Sequence, residues 1–228
     1  MKKDSNMIER LDEGLAPYRD EEKARQMSAY MRNQYPFLGI QTPARRSVTK
    51  PLFKASTLDW DFVDALYEKP EREYQVIAVD YLAHHASSLG WEDLGRLKRL
   101  IETKSWWDTV DAIASTLVGS IVRRYPETNS VMDEWIEDEN LWVRRTAILH
   151  QLSFKGETDE ERLFAYCRRC ADEKEFFIAK AIGWALRQYA RTAPDRVEDF
   201  LVKEKLQALS VREASKHLEM KKKSGDLE

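Results

Sequence analysis

Glycine and proline are scarce, eight and seven in 228 residues. Both punctuate turns and break helices, so their scarcity argues against a turn-rich β architecture. Cysteine occurs twice, as Cys167 and Cys170. A lone C-x-x-C within a helical pattern supplies neither a disulfide framework nor a full zinc set, and it reads as two ordinary helix residues. The same scarcity fits a reducing cytosol, and a cytoplasmic protein is expected. No apolar run approaches the ~20 residues of a membrane span. Met1-Lys2-Lys3-Asp4-Ser5 lacks the apolar core of a signal peptide. Positive charge is not in excess either: 37 Lys and Arg against 40 Asp and Glu give a net charge of −3. A uniformly basic nucleic-acid binder is thereby excluded, while one basic face on an acidic body is allowed. There is no Gly-rich phosphate loop. His84 and His85 are adjacent and point to different faces, and His150 and His217 are isolated. No metal and no cofactor are expected.

What remains is helix-forming. Residues are 43% apolar and 34% charged, enough for a sizeable core. From residue 58 a pattern recurs: Glu71-Arg72-Glu73-Tyr74, Ser105-Trp106-Trp107-Asp108, Asn140-Leu141-Trp142-Val143 and Glu175-Phe176-Phe177-Ile178. Each segment opens polar, turns aromatic or apolar, and continues as a helix. A shorter amphipathic helix precedes each, over Leu58–Tyr67, Trp91–Glu102, Val131–Glu137 and Glu160–Cys170. The spacing of about 35 residues is that of stacked helical hairpins. The expected fold is all-α, an α-solenoid of HEAT-like hairpins whose second helices line one concave groove. One domain over 1–228 is expected, with 1–19 weakly ordered or a short helix and 58–193 the core repeats. Residues 194–220 would be capping helices and 221–228 a disordered tail. Before the repeats, a helix is expected over Glu21–Asn33, a loop through Tyr35–Gln41, and a helix opened by Thr42-Pro43.

Helical spacing places chemistry on the second helices. Ser105 reads as an N-cap, and Trp107 and Asp111, four apart, share a face about 40° wide. An indole beside a carboxylate suits a cationic ligand, although a Trp at a helix contact with an Asp favoured by the helix dipole is the plainer reading. Lys180, Trp184, Arg187 and Arg191 recur at spacings of four, three and four, and Gly183 leaves room for close approach. Repeat alignment sets Arg145 near Asp111 and Lys180. It can grip a phosphate, or it can pair with Asp111 as a structural salt bridge. No hydroxyl or thiol nucleophile stands beside a base.

Five segments carry a resemblance. They are Phe37-Leu38-Gly39-Ile40-Gln41-Thr42-Pro43, Leu66–Leu82 with Pro70-Glu71-Arg72-Glu73, Thr103–Asp111, Asn140–Arg145 and Lys174–Ala190. Together the chain resembles the DNA alkylation repair enzymes built from HEAT-like repeats, over most of residues 20–218. The resemblance implies hydrolysis of the N-glycosidic bond of 3-methyladenine- and 7-methylguanine-type lesions in double-stranded DNA, without a base-flipping pocket. It implies Asp111 as the catalytic carboxylate and Trp107 and Trp184 as the aromatic pair around the lesion. Tyr30, Gln41, Arg145 and Arg187 would touch DNA. Arg45, Arg46, Arg144 and Lys180 join them as the local cations available for phosphate. A monomer is expected. The alternative is a helical-repeat module that binds DNA or a protein without catalysis.

Overall fold

The computed structural model describes the backbone of residues 2–225 and the side chains of residues 7–218. Among them there are helices and turns and no β-strand. The protein is an all-α helical repeat. Its contacts group into two compact units, Met1–Ser88 and Leu89–Glu228, where the sequence suggested one domain.

The first unit holds α1 (Lys2–Leu15), α2 (Glu21–Tyr30), α3 (Thr42–Lys54), α4 (Trp60–Glu68) and α5 (Arg72–His84). Helix α1 is longer than the amphipathic piece expected, because Leu11 and Leu15 are fully buried. Asp12 beside them accepts hydrogen bonds from Lys69 Nζ at 2.9 Å and Tyr74 Oη at 2.6 Å. Helix α2 is capped by the Asp20 carboxylate on the Lys23 N–H. It stops at Tyr30, three residues before the expected Asn33, because Arg32 and Asn33 take positive φ. Helix α3 starts at Thr42 with Gln41 as N-cap, one residue earlier than a Thr cap would give.

The loop before α3 is pinned by one carboxylate. Buried Glu73 accepts from the N–H groups of Leu38 at 3.0 Å, Gly39 at 2.9 Å and Ile40 at 3.0 Å. An ionised carboxylate with three backbone donors is a strong restraint. Gly39 is required there: its φ is +82°, and a Cβ would lie 1.9 Å from the Asp20 carbonyl oxygen.

The second unit holds α6 (Leu94–Glu102), α7 (Trp107–Ala112), a π-helical turn over Ile113–Val118, and α8 (Gly119–Arg124). Then follow α9 (Asn129–Trp135), α10 (Leu141–Leu149), α11 (Glu160–Arg169), α12 (Phe176–Tyr189), α13 (Pro194–Lys203) and α14 (Ala208–Gly225). The repeat-opening helices start at Arg72, Trp107, Leu141 and Phe176, within two residues of the segments aligned by sequence. Helix α10 packs against α7 and α12, and α12 packs along α14. Helix α14, the second of the two helices after α12, lies in the span expected for capping helices and runs on to Gly225. The tail expected to be disordered is therefore helical over 221–225, and 226–228 lie outside the described residues. Cys167 and Cys170 are buried free thiols, both pushed up by burial, Cys170 to about 12.

Candidate active site

The run from Trp107 to Arg124 is one helical path with a π turn in its middle. Its N-cap is Trp106, in extended conformation, where the sequence suggested Ser105. Ser105 instead turns its hydroxyl back to the Ile101 carbonyl at 2.5 Å, closing the preceding helix. Trp107 is thus the first helical residue and Asp111 the fifth. Two residues beyond Asp111 the path widens into the π turn, whose apolar side chains Ile113, Ala114, Leu117 and Val118 are fully buried. Such turns recur at functional sites because they re-aim the side chains next to them. The Ser115 hydroxyl donates to the Asp111 carbonyl at 2.8 Å, so the backbone at the junction is held. A groove of about 580 Å³ opens alongside, lined by Ser115, Gly119, Arg123 and Ser153 among others.

Asp111 meets Arg145 in a two-pronged pair. Arg145 Nε donates to Oδ1 at 2.7 Å and Nη2 to Oδ2 at 2.8 Å. Its Nη1 donates to the Phe177 carbonyl. One guanidinium therefore ties α7, α10 and α12 together. Arg145 is 4% exposed, whereas the Asp111 side chain keeps 15% of its surface in solvent. This is the structural pairing that the sequence left open as the second role of Arg145. A direct grip on phosphate would require it to leave Asp111. Burial raises the Asp111 carboxyl above its ordinary value, Arg145 pulls the other way, and Asp108 adds a smaller upward push. The paired guanidinium offsets part of that upward push.

An aromatic triangle supports the pair. Trp106 lies 5.7 Å from Trp142 and 5.0 Å from Phe177, and Trp142 lies 4.8 Å from Phe177, all between ring centroids. These residues sit at the openings of α7, α10 and α12, so the repeat places them in register. The Arg145 guanidinium carbon stands 5.9 Å from the Phe177 ring centre. The Trp106 Nε1 is buried without a hydrogen-bond partner.

The second aromatic, Trp184, sits half-buried on α12. Lys180 and Arg187, a turn before and after it, were expected to be open cations. Both pair with Glu213 of α14, Lys180 at 2.9 Å and Arg187 at 2.9 Å. Gly183 explains how α14 comes so close: a Cβ there would sit 2.5 Å from the Glu213 Cβ and 2.8 Å from the Ser210 carbonyl oxygen. Glu213 was not singled out in the sequence, because its helix was read only as a cap. Its one local signal is Lys216, three residues on.

The remaining expected DNA contacts divide. Tyr30 is 73% exposed, and Gln41 and Arg46 are exposed. Arg45 is not a surface cation: it is 7% exposed and its Nη2 lies 3.3 Å from Asp80 Oδ2. Its partner is this internal carboxylate, where a cation for phosphate was expected. Arg144 is likewise committed. It pairs two-pronged with Glu173 at 3.0 and 2.7 Å and donates to the Asp138 and Glu139 carbonyls. Among the described residues no group of three His, Cys, Asp or Glu could hold a metal ion. Among the described residues no helix is long and apolar enough to cross a membrane.

The chain matches the family model of the DNA alkylation repair enzymes over residues 11–218. A solved structure described as a predicted DNA alkylation repair enzyme from Enterococcus faecalis is similar at 36% identity. The match covers 88% of this chain and 96% of that one, with a TM-score of 0.83. The search of curated proteins found no match.

Proposed function

The chain belongs to the family of DNA alkylation repair enzymes, and we propose that within it this protein is a DNA glycosylase for cationic alkylated purines. Its role is in DNA repair, and DNA is its partner. The proposed substrate is duplex DNA carrying 3-methyladenine- or 7-methylguanine-type lesions, bound by a monomer without metal or cofactor. The observation that carries the reading is Asp111: a carboxylate oriented by both prongs of Arg145, with an edge left in solvent.

Alkylation at N3 or N7 leaves the purine positively charged, so the base departs without being protonated. The N-glycosidic bond breaks with its electron pair going to the purine, which leaves as a neutral base. Positive charge then develops on the deoxyribose, as in the oxocarbenium-like transition state of glycosidases. A fixed carboxylate stabilises that charge. Water adds to C1′, and its proton passes to solvent by way of Asp111, whose raised proton affinity suits it to a base. Trp107 and Trp184 would hold the cationic nucleotide by their ring faces, worth about 0.5–2 kcal/mol each.

The test is base release. The protein is incubated with methylated duplex DNA, and free methylpurines are measured by mass spectrometry. Asp111→Asn should lose release while retaining DNA binding. Release at the wild-type rate by Asp111→Asn would sink the mechanism. The fully engaged Arg145 favours one second reading, that the pair is structural and the protein a DNA-binding module. That reading expects binding with no base release from any alkylated substrate.

A further inference from the structure

We propose that Trp106 is a positioning residue for the catalytic carboxylate: its indole, clamped by Trp142 and Phe177, sets where α7 stands against α10 and α12 and so holds Asp111 to Arg145. This role rests on the reading of Asp111 as the catalytic group. It falls to a side chain whose own polar atom is shut off from solvent.

Helix α7 is short, six residues before the π turn. Fewer than two helical turns have little stability of their own, so the direction of α7 is set by what holds its ends. The far end runs into the buried π turn. The near end is Trp106. Its carbonyl accepts from the N–H groups of Thr109 at 3.3 Å and Val110 at 3.1 Å, and from the Thr109 hydroxyl at 3.3 Å. Asp111 is the next residue. A rotation of the Trp106 backbone therefore turns the opening of α7 and carries the carboxylate with it.

The position serves a ring and not a cap. Ser, Thr, Asp and Asn lead at helix starts because their oxygens bond the free N–H groups, and Trp106 makes no such side-chain bond. Its indole packs instead on Trp142 of α10 at 5.7 Å and, edge-on, on Phe177 of α12 at 5.0 Å, between ring centroids. These are the helices that Arg145 joins to α7: it stands on α10, bonds Asp111 and reaches the Phe177 carbonyl. One aromatic link and one polar link thus fix the same three helices. Trp106 Nε1 is buried without a hydrogen-bond partner. A buried donor left unmade costs stability, so what the indole supplies here is the reach to touch both neighbouring rings.

Asp111 reports its own placement through its proton affinity. Burial raises it, Arg145 on α10 lowers it, and Asp108 on the same helix adds a smaller upward push. Loosening α7 weakens the pull of Arg145, and the titration moves to higher pH.

Trp106→Leu keeps an apolar filling and removes the flat ring. Two readouts are taken across pH: single-turnover release of methylpurines from methylated duplex DNA, and the Asp111 carboxyl titration by carbon-13 NMR, assigned by its loss in Asp111→Asn. Trp106→Leu should slow release by about 10²-fold at neutral pH, the cost of a misplacement of about 1 Å, with the acid limb and the NMR midpoint both moved upward. Trp106→Phe, which keeps one ring, should fall between Trp106→Leu and wild type. Trp142→Leu cuts the same wall from α10, should act in the same direction, and carries the test if Trp106→Leu does not fold. Phe164→Leu breaks the stack of Phe164 on Phe200, 4.2 Å apart and outside this wall; it should lower the melting temperature and leave both midpoints in place. Unmoved midpoints in Trp106→Leu, or the same movement in Phe164→Leu, overturn the proposal. The two readings fail separately. Wild-type base release with unmoved midpoints in Trp106→Leu removes the positioning role alone. A moved NMR midpoint in a protein that releases no base removes the glycosylase alone.

Discussion

Replacing Arg145 with methionine would test both the architecture and the chemistry of the site. Methionine matches the length of the aliphatic stem and supplies no donor. It strips Asp111 of both hydrogen bonds and of its countercharge, and it leaves the Phe177 carbonyl without the Arg145 donor. Removing one partner of a buried pair costs about 3–5 kcal/mol. The remaining solvent edge of Asp111 lets water reach it, so we take the lower end, about 3 kcal/mol at neutral pH by the same rule. The pH dependence has a definite sign. The folded Asp111 carboxyl is already raised above its ordinary 3.8, so the folded chain holds a proton there that the unfolded chain has released. This group's contribution to stability therefore falls as pH rises from 3.8 through the folded value. Without Arg145 the folded value moves higher and the loss extends toward neutrality. Urea unfolding at a series of pH values should show Arg145→Met closest to wild type in acid and furthest from it above neutrality. Arg145→Met with Asp111→Asn should be more stable than Arg145→Met alone, because no charge is left stranded. In the base-release assay, the acid limb of the pH profile should move upward in Arg145→Met. A variant of wild-type stability at every pH, or a double variant no better than the single, would refute the account of Arg145 as the group that keeps Asp111 charged.

Two further perturbations probe the packing within each unit. Glu73→Ala removes the acceptor for three backbone N–H groups in the loop before α3 and should cost about 3 kcal/mol in chemical denaturation, the scale of charge-assisted hydrogen bonds lost from a buried site; a loss below 1 kcal/mol (about two-thirds of the lower bound for one such bond) would mean that water replaces the carboxylate freely. Gly183→Ala forces a methyl against the Glu213 Cβ and the Ser210 carbonyl oxygen, and should lower stability by about 1–3 kcal/mol through overpacking, read as a fall in melting temperature.

Much of the fold was written in the local pattern. Hairpin helices announce themselves through short-range periodicity, and a repeat announces itself by recurring, so the openings at Glu71, Ser105, Asn140 and Glu175 could be aligned without coordinates. The same alignment carried the meeting of Asp111 with Arg145, since equal positions on neighbouring repeats become neighbours in space. Helix ends were less legible. Ser105 has the chemistry of a cap, but its hydroxyl found the Ile101 carbonyl and left the cap position to Trp106. The π turn after Asp111 had no composition to betray it, because it arises from how buried Ile113, Ala114, Leu117 and Val118 fit their neighbours.

The sequence by itself determined which side chains share a helix face and how often the face recurs, because both depend only on chain geometry over a few turns. It could not determine which charges are spent. Arg45, Arg144, Lys180 and Arg187 look alike as letters, and each is paired to a carboxylate that lies 26 to 35 residues away. Whether a cation faces solvent, a substrate or a buried partner is decided by long-range packing, and only the tertiary structure brings Asp80, Glu173 and Glu213 to those positions.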